Sequence, residues 1–179
     1  MMSKINKVSL VFNFLFKALI ILYPAIIISM WFGLLSIPPG YFSFSNLPIL
    51  VDFNLLLPSI RLEACAVQMM SAIIVMLEFY YLCKLFKLYA NNIIFSLQNM
   101  ILIRKIGYTL VAQVLVSVIA VQPLLSFTLT KNAIPGQGFI QTGVGGDEIS
   151  NLLIGCIVIL ISWIMAEGRK LADEQALTI

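Results

Sequence analysis

The sequence predicts an all-α polytopic membrane protein: four transmembrane helices, N-in/C-in, with a cytoplasmic amphipathic elbow between helices 2 and 3. Three observations predict it. Hydrophobic residues make up 61% of the 179 positions and charged residues 11%, with mean hydropathy +1.03, whereas a soluble domain of this size needs a largely polar surface. The apolar residues fall into four runs, at about 14–37, 61–83, 108–130 and 149–166, each near the roughly 20 residues with which a helix crosses a bilayer. Basic residues gather at alternate junctions of those runs. The connector from Lys84 to Gly107 carries Lys84, Lys87, Arg104 and Lys105 and no acid, and short basic loops stay cytoplasmic. Orientation therefore accounts for the net charge of +3 better than nucleic-acid binding does. Residues 1–179 are expected to form a single transmembrane domain.

The first helix follows a basic start, Lys4 and Lys7, and its apolar run reaches Ile37 before Pro38-Pro39-Gly40. A cleaved signal peptide has a shorter apolar core and ends at small residues, so a retained helix is expected. Lys17 sits at its inner edge, where a long stem lets the amine reach the headgroups. Pro38 to Pro58 reads as an outer loop, broken by prolines and carrying Tyr41, Phe42, Phe44 and Phe53, aromatic residues suited to the interface.

The second helix, from about Arg61 to Cys83, holds the intramembrane carboxylate Glu78, with Glu63 and Gln68 nearer its outer end. Glu78 and Lys17 lie at similar depth and form a candidate ion pair, because a charge in lipid is costly unless partnered. The alternative role for Glu78 is to pin helix packing or reach the interface. The helix is expected to continue to Tyr89 and stop at Ala90-Asn91-Asn92. Ser96 then offers an N-cap to the amide of Gln98 or Asn99, opening an amphipathic segment with Leu97, Ile101, Leu102 and Ile106.

The third run contains Gln113, Gln122 and Pro123; the glutamines suit hydrogen bonding between helices, and Pro123 suits a kink near the outer end. The second outer loop, Lys131 to Glu148, is glycine-rich but lacks the following lysine of a phosphate cradle. Asp147, Glu148 and Ser150 mark an acidic, capped helix start. The fourth helix, Ile149 to Ala166, returns to a polar tail with Arg169 and Lys170 close behind it.

Two motifs carry a resemblance. Phe95-Ser96-x-x-Asn99 followed by Ile103-Arg104-Lys105-Ile106-Gly107 is one; the other runs from Asn151-Leu152-Leu153-Ile154-Gly155 to Glu167-Gly168-x-x-Leu171-x-x-Glu174-Gln175-x-Leu177-Thr178-Ile179. Together they resemble a bacterial family of four-helix membrane proteins of unknown function, DUF2975, also called YoaS-like. The likeness is strong over the second half and rests on hydropathy alone in the first. Ala90-Asn91-Asn92 departs from it, because the family pattern leads one to expect a glycine before the phenylalanine and hydroxyl. The resemblance implies a multi-pass protein of the bacterial inner membrane, with no cofactor and no established activity. It also implies a partner, since similar proteins are often encoded beside a small helix-turn-helix regulator.

That partner would dock on the cytoplasmic face, where Ser96, Asn99, Arg104, Arg169, Glu174 and Gln175 would surround apolar Leu171, Leu177 and Ile179. Alternatively the tail folds back on the elbow and closes the bundle. Three classes follow. An interaction or regulatory protein that holds the regulator at the membrane fits best, without direct contact to nucleic acid. A small homo-oligomeric transporter or channel using Glu78 is the alternative. An enzyme is disfavoured: there is no histidine, no Cys-x-x-Cys pair, and Cys65 and Cys83 would stand about 27 Å apart on one helix.

Overall fold

The computed structural model describes residues 4–33, 56–93, 96–133, 140 and 142–176. The first outer loop with its aromatic residues, the Pro135-Gly136-Gln137-Gly138 turn, Phe95, and Leu177 and Ile179 of the tail lie outside the described residues. Among the described residues the elements are α1 (Lys4–Trp31), α2 (Pro58–Ala90), α3 (Leu97–Val116), a π-turn (Ser117–Val121), α4 (Gln122–Ala133) and α5 (Gly146–Ala176). Four helical stretches are long and apolar enough to cross a membrane: Asn6–Trp31, Pro58–Ala90, Leu97–Lys131 and Gly146–Gln175.

The helices outrun the expected spans. α1 begins ten residues earlier than position 14 and ends at Trp31 instead of position 37. Gly33 stops it, with φ +71 and its amide donating back to Met30 O at 3.3 Å, a left-handed exit that glycine makes without steric cost. α5 likewise starts at Gly146 and continues to Ala176, because the polar tail is rich in good helix formers. At its start, the Glu148 carboxylate accepts the Gly145 amide at 2.9 Å, while Ser150 bonds back to Gly146 O at 2.7 Å and so is no N-cap.

The connector is compact. α2 ends at Ala90 and Asn91 caps it, its amide reaching Leu88 O and Tyr89 O. Asn92 then takes φ +61, supplying the left-handed step that glycine would otherwise supply. Ser96 accepts the Asn99 amide at 3.2 Å, as the capping argument requires. α3 runs on without a break, so the amphipathic stretch is the first turns of a membrane-length helix. Pro123 resolves as a π-turn: proline has no amide for the 119 carbonyl and crowds it, and the preceding turn widens so that Gln122 N–H reaches Ser117 O, five residues back.

The helices stand in a row and do not close into a four-way bundle. α2 packs against α1 on one side and α3 and α4 on the other, while α5 packs along α3. At the end away from the connector, Ile27 and Trp31 of α1, Ile60, Ala64, Cys65 and Ala72 of α2, and Leu125 and Leu129 of α4 form one core cluster. Trp31, 1% exposed, donates its indole N–H to Gln68 Oε1.

Candidate functional site

Polar side chains fall into three groups, and each must be accounted for because an unpartnered polar group in lipid is costly. The first group joins helices. Gln113 Nε2 donates to Ser71 Oγ at 2.7 Å, tying α3 to α2. Gln122 Nε2 donates to Glu148 Oε1 at 3.0 Å, and its Oε1 accepts the Gly143 amide at 3.0 Å, fastening the loop before α5. Asn13 Nδ2 donates to Cys83 O at 2.6 Å between α1 and α2. Both glutamines thus act between segments, as their place in an apolar run suggests.

The second group is the seam between α3 and α5. Arg104 Nε donates to Ser162 Oγ at 3.1 Å, and that hydroxyl donates to Met100 O at 3.2 Å. Ser162 is fully buried. One turn further along, the backbones touch: a Cβ on Gly107 would lie 2.6 Å from Ile159 Cγ1 and 3.0 Å from Gly155 O, and one on Gly155 would lie 3.2 Å from Gly107 O. Small residues permit this approach, which is how helices gain contact in lipid. Two of the expected docking residues are therefore engaged within the fold, Asn99 buried and Arg104 half-buried. Arg104 locks the seam, and Asn99, 0% exposed, donates to Ile93 O at 2.7 Å and holds the connector. Ser96 is occupied as the cap. Such polar side chains look surface-directed in sequence, but the helix start leaves backbone groups that they satisfy.

The third group is the end of α5. Met100, which bonds Ser162, is only three residues from the start of α3, so α5 passes that start near residue 165 and continues. From Glu167 to Gln175 every residue is exposed, a projection of about 14 Å at 1.5 Å per residue. Arg169, Leu171, Glu174 and Gln175 all lie on it. Two i,i+4 ion pairs brace it, Arg169–Asp173 at 3.7 Å and Lys170–Glu174 at 4.0 Å. The described part of the tail does not fold back on the connector.

Glu78 and Lys17 occupy the same level of the α1–α2 pair, since Phe16 stacks on Phe79. No ion pair joins them within the described residues. Glu78 is half-buried and Lys17 exposed. The cysteines are unpaired, Cys65 and Cys83 buried and Cys156 exposed. No cluster of metal-ligating side chains occurs among the described residues.

Residues 21–179 match the family described as "Protein of unknown function (DUF2975)". The chain belongs to DUF2975. Membership extends well into the first half, beyond the motifs that carry the resemblance, and it attaches an unknown-function family to a multi-pass helical architecture. In this DUF2975 chain the quoted motifs acquire a physical reading: Ser96, Asn99, Arg104 and Gly107 of one, and Gly155 of the other, build the connector and the α3–α5 seam. Ser162 completes the seam, and Asn13 and Trp31 tie α1 to α2, without being singled out in sequence; the hydroxyl of Ser162 deep in the apolar run 149–166 is the signal that could have found it. No curated protein and no solved structure matches the chain.

Proposed function

We propose that the chain is an interaction or regulatory protein of the bacterial inner membrane that holds a small helix-turn-helix regulator at its cytoplasmic face. The observation that supports this is the exposed end of α5, Glu167–Gln175, standing past the start of α3. Leu171 is 52% exposed there among charged residues, and an apolar anchor ringed by polar groups suits helix-on-helix recognition. The dock is therefore narrower than the sequence suggests: Arg169, Leu171, Glu174 and Gln175 form it, and Ser96, Asn99 and Arg104 hold the helices behind it. The basic residues of the connector support a cytoplasmic position for this end.

Truncation after Ala166 tests the reading. The expected result is that the full chain co-purifies with the neighbouring regulator in mild detergent, while the truncated chain inserts equally well but recovers none of it. Undiminished recovery would remove α5 as the dock. Transport through Glu78 is the alternative function, and the same truncation separates the two, since a flux through the helices survives removal of residues 167–179.

A further inference from the structure

Between the last turns of α2 and the first turns of α3 lies a cleft of about 440 Å³, lined by Lys84, Lys87, Leu88, Asn91, Gln98, Ile101 and Leu102. Lys84, Lys87, Asn91 and Gln98 are exposed and polar, and Ile101, 44% exposed, and half-buried Leu102 give the cleft an apolar wall on α3. From residue 79 to residue 146 the chain contains no Asp or Glu, and among the described residues no carboxylate pairs with Lys84 or Lys87.

The cleft also lies at a definable depth. Lys84 Nζ sits over the Tyr80 ring at 4.5 Å, and Lys105 Nζ over the Tyr81 ring at 5.5 Å. Tyrosines with lysines mark the headgroup level of a bilayer. An open, cationic, amide-bearing pocket at that level matches one kind of occupant. Basic pockets between transmembrane helices recognise anionic headgroups. We propose that this cleft binds the headgroup of one anionic phospholipid: Lys84 and Lys87 attract its phosphodiester, the Asn91 and Gln98 amides hydrogen-bond its headgroup, and Ile101 and Leu102 form the apolar wall beside it. This site is independent of the α5 dock and stands if that dock fails.

Native mass spectrometry of the full chain, delipidated and titrated with phosphatidylglycerol or phosphatidylcholine, tests it. The expected result is one phosphatidylglycerol held in preference to phosphatidylcholine. Its affinity should fall roughly thirtyfold in Lys84→Gln/Lys87→Gln, from about a fivefold loss per lysine, and should be unchanged in Lys170→Gln on the α5 projection. Ile101→Gln, which leaves both charges in place, should weaken retention as well, while all variants elute as the wild type does. Equal binding of the two lipids, or unchanged affinity in the double lysine variant, would overturn the proposal. Displacement by millimolar inorganic phosphate would also overturn it in favour of a free-anion site, and a two-chain mass that excludes lipid would place a second copy there.

Discussion

The two ends of the helix row are joined by different means. α1 meets α2 through large side chains: Phe12 stacks on Phe86 at 5.1 Å, Phe16 on Phe79 at 6.0 Å and on Phe86 at 5.5 Å. α5 meets α3 through almost no side chain at the closest point, where Gly107 and Gly155 bring the backbones together. In lipid neither contact draws on hydrophobic burial, because acyl chains are as apolar as the helices. The comparison teaches that the aromatic contact is tolerant and the glycine contact is not. Rings can tilt and lipid can refill a gap, but two backbones in contact have no slack.

Three substitutions put that contrast at risk, all read as stability in reversible denaturant-micelle unfolding. The largest effect belongs to Gly107→Leu. Even its first carbon would enter the space of Ile159, so α5 should separate at a cost of about 3 kcal/mol, and a value near zero would remove the backbone contact from the account. Phe16→Ala comes next, at about 1.5 kcal/mol, below the usual cost of deleting a buried aromatic because Phe16 is only half-buried and lipid substitutes for lost contacts. A loss larger than that of Gly107→Leu would reverse the comparison. Ser162→Ala is smallest, at about 1 kcal/mol. It deletes one acceptor for Arg104 and one donor to Met100, and it should be additive with Phe16→Ala but not with Gly107→Leu.

The four membrane-length helices were largely legible in the sequence, for a reason visible in particular residues, whereas their arrangement in a row was not. Run length and charge at the junctions are local quantities, and so is the cap at Ser96, which needs only a hydroxyl three residues before an amide. The partner of a polar side chain is not local. Arg104 reads as a surface cation until Ser162 is placed beside it, and Asn99 reads as solvent-facing until the connector curls to offer Ile93 O. The Lys17 and Glu78 expectation has the same weakness, since depth along a helix follows from counting but the angle at which a side chain leaves it depends on packing. The widening before Pro123 lay between these cases: proline announces a lost hydrogen bond, and the chain's choice of a π-turn over a bend depends on neighbours.

Because each membrane-length stretch lies against the one before it, with α3 and α4 counted as one, spatial order repeats the order of synthesis. α2 can dock on α1 while the later helices are still in the ribosome, α3 can follow, and α5 adds last to a surface already waiting for it. Each interface forms between successive membrane-length stretches, which favours sequential assembly. A defect at the final glycine seam would then leave an inserted three-helix intermediate and not a wholly misfolded chain.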